Sequence, residues 1–168
     1  SANKEKIIIG NCSGFYGDRL SAAKDMVEGG PIDVLTGDYL AELTMTILYN
    51  QRMKRGEDQG YVGTFLKQFK DVAKNCEEKN IKIVTNAGGL NPSSMATKIE
   101  EIVQELNLDL KVAYIDGDDL IPRFEELKEA KEPLNNIEKG NSIHEYENSH
   151  VTAVAFFVAL GIMGALDE

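Results

Sequence analysis

The chain has 168 residues, of which 42% are hydrophobic, and its 28 acidic and 18 basic side chains give a net charge of −10. This composition is that of a soluble globular protein, and it excludes collagen-like chains, small disulfide scaffolds and wholesale disorder. Because phosphate backbones and anionic lipids are bound by clustered Lys and Arg, the acidic balance argues against nucleic acid and membrane surfaces as partners. Cys12 and Cys76 lie outside any metal-binding spacing, and no secretory signal pattern opens the chain. We therefore expect free thiols and a cytoplasmic location.

Strand-like and helical patterns alternate along residues 1–132. Short apolar runs bounded by Gly, Pro or polar residues predict buried strands, at Ile7–Gly10, Pro31–Thr36, Ile81–Thr85 and Leu110–Ile115. Amphipathic spacing predicts the intervening helices, at Asp18–Glu28, Asp38–Arg55, Val62–Lys79, 93–107 and Phe124–Lys131. This order predicts an α/β domain over residues 1–132, with a Rossmann-like, doubly wound, mostly parallel sheet and helices on both faces.

The last part of the chain differs in composition. Residues 133–149 are polar and predict an irregular loop. Val151–Leu166 carries no charged residue but is shorter than the roughly 20 residues that a membrane span needs, so we expect a buried helix. This C-terminal helix, within residues 150–168, would pack on the same domain or mediate a homo-oligomer.

In an open parallel sheet, ligands bind at the carboxyl ends of the strands, where four polar, glycine-containing loops are expected to converge. The first loop has the spacing G-x-x-x-G-x-x-G, which is neither the dinucleotide motif nor a P-loop. Its glycines and arginine still suit an anionic ligand. The candidate ligand-binding residues are Asn11, Ser13, Gly14, Gly17 and Arg19. The alternative is a tight turn in which Asp18 caps the following helix.

The second loop supplies Gly37 as a ligand-binding candidate and two carboxylates, Asp38 and Glu42. Four residues apart, the carboxylates would share one helix face, where they could act as acid and base or hold a divalent cation such as Mg²⁺. The alternative is structural, with Asp38 capping the helix and Glu42 favouring its dipole.

The third and fourth loops add amides, glycines and further acids. Ligand-orienting candidates in the third loop are Asn86, Gly88, Gly89 and Asn91, although a plain turn followed by Pro92 as a helix-start residue is the alternative. The fourth loop contains three carboxylates, at Asp116, Asp118 and Asp119. Asp118 is a catalytic candidate, and Asp38, Asp116 and Asp118 are the metal candidates if a metal is present, against the alternative of a solvated acidic turn.

Complete nucleophile–base pairs are not evident. Cys12 lies near a predicted helix N-terminus, which can activate a thiol, but no histidine precedes His144, so a small buried residue is the favoured interpretation. His144 and His150 are expected on the surface.

Three long motifs, taken together, resemble the acyclic terpene utilisation (AtuA-like) family, whose defining region is a domain of unknown function. They are Gly10–Arg19, Asp33–Met45 and Asn86–Pro92. The similarity covers residues 6–128, and Val151–Glu168 is similar to a later helix of the family. The resemblance implies a cytoplasmic bacterial protein associated with acyl-CoA chemistry in branched isoprenoid breakdown, of which this chain looks like an N-terminal portion.

Two functions follow from these patterns. The first is an enzyme or enzyme domain that binds a phosphorylated or acyl-CoA-type small molecule, most simply an anionic one, at the strand-end edge. The second is a non-catalytic subunit or assembly module that oligomerises through Val151–Leu166. A divalent-metal hydrolase using Asp38, Glu42, Asp116 and Asp118 is a third interpretation.

Overall fold

The computed structural model describes residues 6–130, 134–142, 145, 152–154 and 160–167. The chain forms two compact units, Ser1–Ile115 (unit 1) and Asp116–Glu168 (unit 2). The elements of unit 1, in chain order, are β1 (Ile9–Asn11), α1 (Ala22–Gly29), β2 (Val34–Gly37), α2 (Glu42–Arg55), α3 (Gly63–Lys79), β3 (Lys82–Thr85) and α4 (Pro92–Glu105).

The three strands of unit 1 form one parallel sheet in the order β1-β2-β3. In the register of this sheet, Gly10 lies beside Leu35 and Leu35 lies beside Ile83. The mixed α/β class predicted from the sequence is confirmed.

Because the strands step across the sheet in one direction, right-handed crossovers would carry the connecting helices over the same face.

That face holds the hydrophobic core of unit 1. Leu35 belongs to a cluster that also contains buried side chains of α1 and α3, such as Val27 and Cys76. A second cluster joins α2, α3 and α4, and Ile83 packs against both clusters. Close packing continues at Gly10, where a Cβ atom would lie 2.7 Å from the Met26 side chain. Apolar side chains on this sheet face and on the helices therefore exclude water together.

The opposite face of the sheet carries side chains that belong to neither cluster. Successive residues of a strand point to opposite faces, so Ile9, Asn11 and Thr36 lie on this second face. Ile9 is 63% exposed. A doubly wound sheet with helices on both faces is therefore not confirmed by the described part of unit 1. We call this second face, with Ile9, Asn11, Val34, Thr36, Lys82 and Val84, the open face.

The prediction of a fourth strand at Leu110–Ile115 is wrong, because this segment does not pair with the described strands. Leu108, Leu110 and Val112 alternate toward the core cluster, each partly buried against it. This packing reproduces the period of two that a strand shows in sequence without any strand partner.

Two helices begin later than their sequence patterns predict. Helix α1 has Ser21 at its N-cap position, not Asp18. Helix α2 has Ala41 at its N-cap position, so Asp38 and Glu42 do not share a helix face. In both cases the acidic residue that was predicted to cap the helix hydrogen-bonds within its loop instead. Helix α4 starts as predicted, with Pro92 in its first turn, and Asn91 is its N-cap, since the Asn91 side chain accepts a hydrogen bond from the Ser94 amide.

Unit 2 contains a 3₁₀ turn at Ile121–Arg123, helix α5 (Phe124–Glu129) and helix α6 (Leu160–Asp167). The sequence predicted a helix over Val151–Leu166, but Val154 forms an antiparallel bridge with Asp119 and α6 begins at Leu160. Within the predicted irregular loop, an isolated bridge joins Asn135 and Ser142. The predicted boundaries at residues 132 and 149 remain predictions.

Among the described residues, no helix is both long and apolar enough to cross a lipid bilayer.

Replacement of Gly89 by alanine is expected to destabilise the protein by about 1–3 kcal/mol. Gly89 has φ +55°, and a Cβ atom there would lie 2.9 Å from the Gly60 carbonyl oxygen. The measurement is the free energy of unfolding in urea. The matched control is Gly63→Ala at the start of α3, where a Cβ meets nothing within 4 Å, and equal stability of the two variants would contradict the prediction.

Candidate functional site

Hydrogen bonds tie together the three loops that follow β1, β2 and β3. The Asp38 amide donates to the Ser13 carbonyl at 3.0 Å, which joins the second loop to the first. The Asn86 side-chain Nδ2 donates to Asp38 Oδ1 at 2.6 Å, and the Tyr39 amide donates to Asn86 Oδ1 at 2.9 Å. The predicted convergence of these three loops at the carboxyl edge of the sheet is confirmed.

The polar side chains of this edge continue onto the open face. Asn11 and Thr36 are register neighbours, and the Thr36 hydroxyl donates to Asn11 Oδ1 at 3.3 Å. Asn11 also donates from Nδ2 to the Ser13 carbonyl at 3.0 Å. Asp38 and Asn86 each follow the last paired residues, Gly37 and Thr85, by one position. Of the predicted site residues, Asn11, Asp38 and Asn86 thus combine exposure with proximity.

Beneath the loops lies a buried polar network that sequence reasoning missed. The Tyr39 hydroxyl donates to Gln68 Oε1 at 2.6 Å, and Gln68 Nε2 donates to the Leu20 carbonyl at 3.3 Å. Gln68 is only 3% exposed. The network links α3 to both the first and the second loop. A signal was available in the sequence, since Gln68 stands next to Phe69 and three residues after Phe65 on the apolar side of its helix.

The environment of Cys12 supports the structural interpretation of this thiol. Its side chain is buried with Sγ 4.0 Å from the Tyr39 hydroxyl, and burial raises the pKa of the Cys12 thiol. Burial also raises the pKa of Tyr39 and brings that of Cys76 to about 11. Both cysteines are free and buried, as predicted. A raised pKa keeps a thiol protonated and unreactive at neutral pH.

The first loop is held by its own acidic residue. Asp18 accepts hydrogen bonds from the Gly14 amide at 3.0 Å and from the Arg19 amide at 2.7 Å. These two bonds, the Gly14 bond first, lower the pKa of the Asp18 carboxyl. Arg19 pairs with Asp25 at 3.1 Å, and both side chains are exposed. Gly17 is exposed and has φ +99°, which favours glycine in this turn.

Packing within the protein accounts for the remaining glycines of the predicted site. A Cβ atom at Gly88 would lie 2.8 Å from Pro92, and one at Gly37 would lie 2.6 Å from the Tyr39 ring. Asn91 donates from Nδ2 to the carbonyls of Glu57 and Gln59 at 2.8 and 3.0 Å. These residues shape the loops that carry the site, and their predicted contact with a ligand remains untested.

The fourth loop belongs to unit 2. Asp116 is exposed and Asp118 is half-buried, while Asp119 Oδ1 accepts a hydrogen bond from the Ile121 amide at 3.0 Å. The predicted metal set of Asp38, Asp116 and Asp118 therefore draws on both units, and it stays a prediction. Within the described ranges, no group of three or more His, Cys, Asp or Glu residues is arranged to hold a metal ion. His144 and His150 lie outside the described residues.

Glu42 is the first residue of α2 and is exposed. Its carboxylate lies in the first turn, where a negative charge interacts favourably with the helix dipole.

Comparison with known proteins identifies the family of this chain. Residues 7–168 match the family model described as acyclic terpene utilisation family protein AtuA. The chain belongs to this family. No curated protein and no solved structure matches it. The match confirms the resemblance carried by the three loop motifs, and it extends through unit 2. Family membership associates the chain with acyclic terpene utilisation.

Replacement of Gln68 by leucine is expected to lower the free energy of unfolding by about 1–3 kcal/mol, because the Tyr39 hydroxyl and the Leu20 carbonyl both lose their buried partner. Gln104→Leu, on an exposed position of α4, is the matched control and should change stability by less than about 0.5 kcal/mol. Chemical denaturation measures both variants. Equal effects would show that the network does not stabilise the loops.

Proposed function

We propose that the carboxyl edge of the sheet in unit 1 is the small-molecule site of an enzyme or enzyme domain in acyclic terpene or branched isoprenoid breakdown. The ligand in this proposal is phosphorylated or of the acyl-CoA type. One observation carries the proposal: a hydrogen bond from the Asn86 side chain to the Asp38 carboxylate fixes the relative positions of two strand-end loops, and the Asp38 amide donates to the third. Strand ends held together in this way are the usual place for a ligand in a parallel α/β fold.

The first loop is assigned to the anionic part of the ligand. Gly14 and Gly17 are exposed and allow close approach to the backbone. Arg19 supplies the positive charge of this loop, and its partner is the solvent-exposed Asp25. Exposed ion pairs contribute little free energy, about 0–1 kcal/mol, so a phosphate group can compete with Asp25 for the guanidinium.

The acid–base roles are assigned to carboxylates. Asp38 and Glu42 lie at the second loop and at the first residue of α2, and Asp38 is oriented by Asn86. Asp118, the third carboxylate predicted to be catalytic, lies in unit 2, and its role stays a prediction. A carboxylate held at a strand end next to a bound substrate can donate or remove a proton.

The first experiment is a thermal-shift titration of the whole chain with CoA, a branched acyl-CoA, ATP and NAD, each with and without Mg²⁺. A ligand that binds only the folded state stabilises it by about 2.7 kcal/mol when its concentration is 100 times its Kd. A shift with CoA or acyl-CoA is expected. Stabilisation that needs Mg²⁺ would support the predicted cation site, and no shift with any of the four ligands would contradict the proposal.

Arg19→Ala is expected to weaken binding of the CoA-type ligand by more than about tenfold, because a charge-assisted hydrogen bond is worth about 1.5–3 kcal/mol. Isothermal titration calorimetry measures the Kd. Arg55→Ala, which removes the same charge from the exposed end of α2, should leave the Kd unchanged. Unchanged affinity in Arg19→Ala would remove Arg19 from the site.

A second function, an assembly module, is favoured by one feature of unit 2. Helix α6 exposes apolar side chains at Ile162, Met163 and Leu166. A second copy of the chain packing on this helix would bury them. Light scattering should then show a dimer that Met163→Lys converts to a monomer, and a monomeric parent protein would contradict this function.

A further inference from the structure

The outer edge of β1, formed by residues 7–11, has no strand partner among the described residues. On the inner side of this strand, the Ile8 carbonyl accepts hydrogen bonds from the amides of Asp33 and Val34 at 2.8 and 3.2 Å. Because backbone groups alternate in direction along a strand, the N–H and C=O groups of Ile9 point away from β2. No hydrogen bond within the described part of the chain uses them. This edge therefore presents backbone groups that another strand can pair with.

The side chains along this edge are apolar and exposed. Ile7, Ile8 and Ile9 are 67%, 46% and 63% exposed, and residues 7–11 include no charged side chain. The opposite edge of the sheet differs, because β3 carries the exposed Lys82. A lysine on an edge strand disfavours pairing with another chain, whereas an uncharged edge of β-branched residues favours it. The comparison indicates that a further strand adds at β1 and not at β3.

The three isoleucines are symmetric about Ile8, so this edge is complementary to itself in antiparallel order. With a two-fold axis at Ile8, Ile7 of one copy lies opposite Ile9 of the other copy, and the two Ile8 residues face each other. The outward backbone groups of Ile7 and Ile9 then exchange hydrogen bonds between the copies. Ile8, whose carbonyl is already bonded to β2, occupies the pair that needs no hydrogen bond between them. Facing isoleucines on both sides of the axis remove apolar surface from water.

The charges beside this edge also fit a second copy in antiparallel order. A net charge of −10 makes two copies repel each other, so an edge without acidic side chains is the favourable place for contact. Lys6 is exposed at the amino end of the edge, and Asp18 lies in the loop that follows β1. Antiparallel order directs Lys6 of each copy towards the end that carries Asp18 in the other, and sets Lys6 opposite Gly10. Parallel order would instead place the two lysines side by side, which is unfavourable.

We propose that the outer edge of β1 is a homodimer interface, where it pairs in antiparallel order, about an axis at Ile8, with the same edge of a second copy. The two sheets then form one continuous sheet with a closed two-fold arrangement. This interface lies in unit 1 and differs from the α6 contact of the assembly-module function. It also does not depend on ligand binding at the carboxyl edge of the sheet.

Sedimentation velocity of the whole chain over a range of concentrations tests the interface. The parent protein is expected to dimerise, and Ile9→Lys is expected to weaken the dimer by more than about tenfold, because a charge replaces an apolar cross-strand contact. Ile137→Lys makes the same change at a fully exposed position of unit 2 and should leave dimerisation unchanged. A monomeric parent protein would overturn the proposal, and so would equal dimerisation of Ile9→Lys and the parent.

Cross-linking tests the position of the two-fold axis. Facing residues in a pair without hydrogen bonds between the strands have Cα atoms about 4.5 Å apart, a separation that a disulfide spans. Ile8→Cys should therefore give a disulfide-linked dimer when the whole chain is oxidised with diamide, and Ile137→Cys should not. The native thiols, Cys12 and Cys76, are buried. Equal linking in both variants, or none in Ile8→Cys, would contradict pairing at this edge.

Met163→Lys separates this interface from helix α6. The dimer proposed here persists in Met163→Lys and is lost in Ile9→Lys. The opposite pattern would overturn the proposal and support assembly through α6. Titration of Ile9→Lys with CoA tests the ligand site independently, since that variant changes neither the strand-end loops nor their hydrogen bonds.

Discussion

The direction in which the strands step across the sheet determines where everything else in unit 1 lies. The order β1-β2-β3 moves one way, and the described helices bury their apolar sides against the face that carries Leu35 and Ile83. A doubly wound sheet needs a reversal of direction, which places later helices on the other face. The described strands show no reversal. The carboxyl ends of the strands therefore meet solvent at an edge continuous with a face that these helices do not cover.

A few polar contacts hold the loops at that edge. Gln68 joins α3 to Tyr39 and to Leu20, and Asn86 joins the third loop to Asp38 and Tyr39. Each of these amide side chains uses both its donor and its acceptor. Because Gln68 is buried, an unmade hydrogen bond there would be costly, so its pairings favour one arrangement of the loops. Apolar packing therefore positions the helices, and the side-chain amides of Gln68 and Asn86 position the loops.

Sequence patterns predicted the strands and helices where local signals and tertiary contacts agreed. The runs at Ile81–Thr85 and Val62–Lys79 correspond closely to β3 and α3. Prediction failed where a side chain had two possible partners. Asp18 and Asp38 are good helix caps by residue type, but loop amides and Asn86 take their carboxylates in the folded chain. The alternating apolar residues of Leu110–Ile115 reflect packing of Leu110 and Val112 against the core. Such a pattern does not show whether a strand partner is present, so it predicted a strand that does not form.

The candidate site was predictable in outline, because polar loops after parallel strands must meet at one edge. The shape of the loops depends on contacts that the sequence does not reveal: Gly88 packs against Pro92, Gly89 packs against Leu48, and Asn91 donates to the 57–59 backbone. The charged side chains of the first and second loops have different surroundings. Asp25 and Asp18 moderate the positive potential of the first loop, while no described ion pair involves Asp38.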